Sequence, residues 1–449
     1  MVTRTTIPTG SPIALTGGSS HDDGKLTGTD RGRDPGPRGR RTVEPTADPG
    51  LDGFDWFDTS DERWSDPHPT YHRLRAHDPR WPDPDGAILL TAYADCLAVL
   101  RDPRWSSNTA HRTTPVDEIT AAHPVRDADL PVLLFMDPPD HTRVRRLVSK
   151  AFTPRSVERL RPHIAELVDA ILDEAAERGE IDVVGDLGFR LPATVICEMM
   201  GVPVEDQDQF HGWSADATRL LDGDIDPETT QRGILAVMQF VGYFNELFEE
   251  RRRHPGEDLV SALLAAEEEG DRLDEAELRA IVLLLFMAGH ETTMNLIGNG
   301  VWALLRNPDQ LARWRDDPSL DATAVEELLR WDGPVHVTGR VATDDLELPG
   351  GFAVAKGADV VTLLAAANRD PARYPDPDRL DLGRVENPHL TFSYGIHYCL
   401  GASLARAEGQ LAIGRFIRRF RDIELLTEQP RYREHFVLRG LEELRVAVR

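Results

Sequence analysis

A chain of 449 residues that is 40% hydrophobic and 29% charged holds enough apolar side chains for one large domain or two modest ones. Its formal net charge of −26 excludes a general binder of nucleic acid or of anionic membrane, so neither is expected as a partner. Three cysteines, Cys96, Cys197 and Cys399, are too few for a disulfide framework and form no CxxC zinc pair, so a reducing cytoplasmic compartment is expected.

Residues 1–50 are rich in Gly, Pro, Thr, Ser, Arg and Asp and nearly lack aliphatic side chains, which predicts a disordered tail. No apolar core of a secretory signal follows Met1. A single domain is expected over 51–449. Tyr71–Arg75 reads as a short helix, Ala87–Thr91 as a strand and Ala92–Leu100 as a helix. Helical periodicity then covers Val144–Phe152 and Ser156–Arg178. Asp274, with Glu277 three residues later, forms a capping box before a long apolar helix that runs to Asn307-Pro308. At ~1.5 Å per residue that helix reaches about 45–50 Å, enough to cross the domain and wall a central cofactor. Gly298 and Gly300 each cost it about 1 kcal/mol relative to alanine, which close helix contacts would explain. Its most apolar stretch, Ala280–Gly289 between Arg279 and His290, falls short of the ~20 residues of a membrane span. Asp321–Arg330 is predicted helical, Val341–Leu348 and Ala353–Val361 as short strands, and Ala402–Phe420 as an amphipathic helix.

The most specific chemistry precedes that last helix, in Phe392-Ser-Tyr-Gly395-Ile-His397-Tyr-Cys399-Leu-Gly401. A thiolate at Cys399 is favoured by the helix dipole and by free N–H groups aimed at the sulfur. Gly395 and Gly401 let the backbone approach a flat ligand. Phe392 can shield the sulfur from water, and His397 can donate to an anionic group. These are the needs of a cysteinate that ligates haem iron. A lone cysteine would more often be a buried structural one, but here every flanking position is filled as the haem loop requires. The pattern F-x-x-G-x-H-x-C-x-G strongly resembles the cysteine-ligand loop of the cytochrome P-450 family. The order of elements over 51–449 resembles that family's fold, mainly α with small β-sheets and the long helix over the haem.

Within the long helix, Ala288-Gly289-His290-Glu291-Thr292-Thr293 sets glycine beside an acid and threonines, a locally unfavourable choice. A threonine hydroxyl bonded to a carbonyl one turn earlier can bend the helix and open a small pocket. A zinc-protease helix starting at His290-Glu291 would need a histidine at position 294, where Met294 stands. The run matches the family motif A-G-x-[D/E]-T. The resemblance implies that Ala288 and Gly289 lie against the cofactor, that Thr292 stabilises bound oxygen and that Glu291 feeds it protons.

Glu327 and Arg330 share one helix face and can pair. The resemblance implies that they are buried and joined by Arg384 in a structural triad behind the cysteine loop. His141 and Arg145 lie four apart on one helical face. With Arg340 and His397 they are implied to hold the haem propionates, a task suited to arginine forks. Arg143, Arg146 and Lys150 are then expected to face outward, where an electron donor docks. By the same resemblance the substrate pocket is lined by 105–135, by Phe210–Phe244, by Met287 and Ala288, by Val335–Thr338 and by the loop near Phe436. His336 is expected as its inward polar side chain.

No dinucleotide fingerprint and no iron–sulfur cysteine set is visible, so electrons must come from outside. The family organisation implies a ferredoxin with its reductase. The implied activity is a haem-thiolate monooxygenase carrying haem b (iron protoporphyrin IX). It would insert one atom of dioxygen into a C–H or C=C bond of a mostly apolar small molecule. The rivals are a peroxygenase of the same fold driven by hydrogen peroxide, and a non-catalytic haem protein that binds gas. The Glu291–Thr292 pair weighs against both.

Overall fold

Asp274 Oδ1 accepts from Glu277 N at 2.8 Å and Glu277 Oε2 accepts from Asp274 N at 2.9 Å, so the capping box closes as the sequence predicts. The structure, a computed structural model, describes residues 62–82, 86–113, 131–222, 226–268 and 271–449. The predicted tail over 1–50 and the middle of the pocket loop expected over 105–135 lie outside the described residues.

Two helices flank the first strands: α1, His68–His77, and α2, Tyr93–Arg101. Then come α3, Asp140–Ser149, and α4, Pro154–Arg178. Next are α5, Arg190–Met200, α6, Gln207–Thr218, α7, Pro227–Arg253, and α8, Leu259–Ala265. The long helix is α9, Glu275–Arg306, followed by α10, Pro308–Asp316, and α11, Asp321–Asp332. The short α12, Leu364–Ala367, and α13, Ala402–Arg419, complete the set. Prediction placed α1–α4, α9, α11 and α13 within a few residues; α5–α8 and α10 were not singled out.

The strands in chain order are β1, Arg80–Pro82, β2, Ile88–Leu90, β3, Trp105–Ser106, β4, Glu180–Asp182, β5, Glu267–Glu268, β6, Asp271–Arg272, β7, Val337–Ala342, β8, Leu346–Leu348, β9, Phe352–Val354, and β10, Asp359–Leu363. The main sheet has the order β1-β2-β10-β7-β3. The strand expected over Val341–Leu348 is in fact two. After β7 the chain leaves the sheet at Thr343, whose N–H donates to Arg104 O. It re-forms as Leu346–Leu348, paired with Phe352–Val354.

Helix α9 is long and apolar enough to cross a membrane by length and composition, a wider span than Ala280–Gly289 alone, yet 72% of its most apolar window is buried inside the protein. Burial on all sides explains that composition. Its first half, with Ile281, Val282 and Phe286, packs with Phe210, Phe240 and Phe244 of α6 and α7. Its second half, from Met294 through Ile297 to Leu304, packs in a separate core with α4, α11 and α13. Residues 288–293 belong to neither core, so the locally unfavourable run sits at the seam between them. Gly300 earns its place by packing: a Cβ there would lie 2.8 Å from Ile413 Cδ1 and 3.0 Å from Leu328 Cδ1.

Candidate functional site

The cysteine loop turns at Gly395, whose φ of 68° is left-handed, and a Cβ there would run into the carbonyl oxygen of Leu100. The loop closes where Cys399 N donates to Phe392 O at 2.9 Å, and α13 begins at Ala402 with no side-chain cap. The N–H groups of Gly401 and Ala402 are therefore free to donate to the half-buried Cys399 sulfur. Burial nevertheless pushes the thiol up, and those N–H groups with Arg145 and Arg406 only partly offset it. The N–H groups thus act in the expected direction, and burial outweighs them. A bound metal cation is the charge that deprotonates such a thiol outright. Arg406 lies over the Phe392 ring, 4.5 Å from its centroid, and is gripped by Glu326 at 2.6 and 2.9 Å. Burial opposes ionisation of Glu326, but Arg406 and His389 draw it down to about 2.

Beside the loop, cations gather without matching anions. His141 is 2% exposed and neither ring nitrogen has a partner. Its ring centroid lies 4.4 Å from that of His397, whose Nε2 is likewise buried and unpartnered. Arg340, buried on β7, donates to Gly339 O at 2.7 Å and Thr338 Oγ1 at 2.9 Å but forms no ion pair among the described residues. Arg145 donates to Tyr398 O. Burial, then Arg340, His141 and Arg145, lower His397 to about 3. Burial lowers Arg340 to about 10, with Asp137 opposing. Orphaned buried donors need a ligand or water. A flat ligand with two carboxylates fits this cluster, and the four residues are those the sequence singled out.

In the middle of α9, Leu284, Met287, Ala288, Gly289 and Thr292 keep accessible surface between buried neighbours, and 284, 288 and 292 recur at helical spacing. Thr292 Oγ1 donates to Ala288 O at 2.8 Å, the predicted back-bond, and the helix continues through it. A Cβ at Gly289 would lie 3.1 Å from Ile196 Cδ1, so packing against α5 uses the missing side chain. Glu291, 2% exposed, meets Arg433 Nη1 at 2.5 Å, and Arg433 also holds Asn295 Oδ1 at 2.7 Å. Burial opposes the carboxylate, but Arg433, His290 and His211 outweigh it and hold Glu291 below the usual range. Sequence reasoning missed Arg433, which is 142 residues from its partner.

The triad closes as predicted: Arg330 forks onto Glu327 at 2.8 and 2.8 Å, and Arg384 Nε adds bonds at 3.1 and 3.3 Å. Other expectations need correction. Arg143 is drawn across to Glu277, the second member of the capping box, because that buried carboxylate needs a cation. It is thus committed to the fold. His336 is buried, with Tyr71 OH 3.3 Å from Nδ1, while Nε2, 3.9 Å from Asp332, has no hydrogen-bond partner. Phe210, Phe240 and Phe244 stack on one another with interplanar angles of 4–7°, buried in the core. Phe436 packs edge-on against Trp64.

The family profile described as Cytochrome P450 matches residues 131–317 and 318–441. Vitamin D(3) 25-hydroxylase of Pseudonocardia autotrophica is 43% identical over 392 residues, covering 86% of this chain and 94% of that protein. Cytochrome P450 107B1 of Saccharopolyspora erythraea is 45% identical over 373 residues, 80% of this chain and 89% of its own. The crystal structure of P450BioI in complex with an acyl carrier protein ligated to hexadec-9Z-enoic acid superposes with a TM-score of 0.80 at 38% identity, covering 87% of this chain and 100% of that one.

Proposed function

This chain belongs to the cytochrome P450 family and is a monooxygenase with a haem-thiolate cofactor, and on that premise we propose that its haem is haem b, ligated by Cys399. The observation that carries the assignment is the pairing of one sulfur, faced by two N–H groups, with a buried Arg340 that forms no ion pair among the described residues and with His141 and His397, whose buried ring nitrogens lack partners. His141, Arg145, Arg340 and His397 bind the two propionates, whose charge satisfies the orphaned ring nitrogens. Phe392, backed by Arg406, excludes water from the sulfur. When bound, the haem supplies the activation of dioxygen and the delivery of one oxygen atom to substrate.

The protein's own contribution is to hold substrate and move protons. The stripe of Leu284, Met287 and Ala288 presents an apolar wall, so the substrate is a mostly apolar small molecule. Relatives whose names specify vitamin D(3) and hexadec-9Z-enoic acid support that class. The Thr292 hydrogen is held by Ala288 O, so its oxygen turns lone pairs toward the stripe and orients a proton-bearing partner there. Glu291, ionised and buried, accepts protons arriving from solvent and passes them on toward Thr292. Electrons come from a ferredoxin and its reductase, in a cytoplasmic enzyme whose domain begins near residue 51.

Turnover with NADH, ferredoxin and reductase tests this reading. Product should form with that system and not with hydrogen peroxide alone; the reverse result would make the protein a peroxygenase, and neither would leave a gas-binding haem protein. Thr292→Ala should leave substrate binding nearly intact and lower the product formed per NADH consumed. An unchanged ratio removes the threonine from proton delivery.

A further inference from the structure

Glu291 is only one wall of a small polar chamber. His290 Nδ1 lies 2.8 Å from Phe286 O, a carbonyl that can only accept, so Nδ1 carries the proton and Nε2 a lone pair. That Nε2 faces Glu291 Oε2 at 3.9 Å. Both atoms are acceptors, both are buried, and neither has a partner in the protein. A third orphan is Nδ1 of His211, on α6, whose ring packs against Phe189 at a tilt of 45° with centroids 4.1 Å apart. Phe189 also contacts His290 edge-on, with centroids 6.1 Å apart, so one ring spaces the two imidazoles. Buried acceptors that face each other without a donor mark a site for a water with both hydrogens committed.

We infer that His211 is the outer station of the proton path to Glu291, passing its proton to a water held between Glu291 Oε2 and His290 Nε2. This deepens the reading of Glu291 as the proton carrier and rests on it. The step balances without a further reagent. Protonated His211 gives a proton to the water, the water gives one to the Glu291 carboxylate, and neutral His211 is recharged from solvent through its partly exposed ring. His290 acts through the water and never leaves its Nδ1–H tautomer. Arg433 keeps the carboxylate ionised between deliveries by holding Oε1 and leaving Oε2 to the water.

The groups that act on His211 are Asp208 on its own helix, Glu291 and His290 on α9, and Arg433 on the C-terminal loop. Burial lowers its pKa and Arg433 does the same, whereas Glu291 and Asp208 raise it. The imidazolium needed for delivery is therefore depleted as pH rises through a value below that of an ordinary histidine.

Two measurements on the haem-loaded protein test the inference. In the diamagnetic reduced CO complex, NMR titration of His211 should move to lower pH in Glu291→Gln and to higher pH in Arg433→Gln. In turnover, His211→Gln should lower product per NADH about threefold or more and erase its decline with rising pH, and free imidazole should restore the ratio in His211→Gly. A structural role for the ring predicts no such rescue. If Glu291→Gln itself leaves the ratio unchanged, the reading of Glu291 fails. If Glu291→Gln lowers the ratio while His211→Gln does not, or if the His211 titration ignores both neighbours, the His211 station alone is overturned.

Discussion

Glu327 and His141 stand at the centres of two buried clusters rich in arginine and histidine, and the two differ in how charge is met. Around Glu327 both carboxylate oxygens are used by Arg330, Arg384 and Asn387, and Arg330 also donates to the carbonyls of Asn368 and Pro377. Around His141 three imidazole nitrogens have no partner and Arg340 has no counterion among the described residues. A buried charge is costly unless paired. The first cluster is complete within the protein and serves the fold. The second is not complete within the protein, which suits the dianionic ligand proposed for it.

Cys399 lies beside the second cluster and gives the largest expected effect. Cys399→His should abolish the red-shifted Soret band that a thiolate ligand gives the reduced CO complex. Cys96→Ser and Cys197→Ser should keep it, because both thiols are packed in hydrophobic cores and Cys96 Sγ already donates to Leu90 O. A band that survives Cys399→His overturns the ligand assignment.

Glu327→Gln comes next. It strands two guanidinium groups in the interior, and breaking a buried pair in this way costs about 3–5 kcal/mol. Urea denaturation should show that loss, together with poor haem retention. A loss under 1 kcal/mol would mean that the triad is no more complete than the other cluster.

Arg340→Leu should act in the opposite sense on the two quantities. Haem titration should show binding weakened roughly ten- to a hundredfold, the worth of one or two charge-assisted hydrogen bonds. Denaturation of the haem-free protein should show stability unchanged or raised, because an unmatched cation is gone. Equal loss in both would merge the two clusters into one structural role.

The smallest effect is in the pH dependence of the haem-free protein. His397 is neutral when folded, with a pKa near 3, against about 6.5 when unfolded. The unfolded chain therefore binds more protons between these values. The contribution of His397 is fully present above pH ~6.5 and lost as pH falls toward 3. Melting temperatures at pH 7 and pH 5 should differ less in His397→Gln than in the unaltered chain. Bound propionates favour the charged imidazole, so haem should shrink the difference as well. A variant that is as acid-sensitive as the parent assigns the effect to other groups.

What could be read from the chain followed sequence distance. The capping box, the Thr292 back-bond and the Glu327–Arg330 fork span three or four residues, so helical geometry alone brings them together. The cysteine loop was legible for the same reason, since ten consecutive residues carry it. Arg143 was misread as a docking cation because its partner Glu277 lies 134 residues away. The rings of Phe210, Phe240 and Phe244 look like a pocket lining in sequence, and only the packing of α6 on α7 and α9 turns them into core.

The sequence by itself determined the helix limits set by local caps and the glycine turn of the loop that closes at Cys399. These depend on backbone geometry over one or two turns, or on motifs too specific to arise in another setting. Tertiary structure alone decided which charges are matched. Glu291 meets Arg433, and His211 acts electrostatically on the Glu291 carboxylate, only because α9, α6 and the C-terminal loop converge. Whether a buried charge holds the fold or awaits a ligand depends on who stands within ~4 Å of it, and linear order carries no record of that distance.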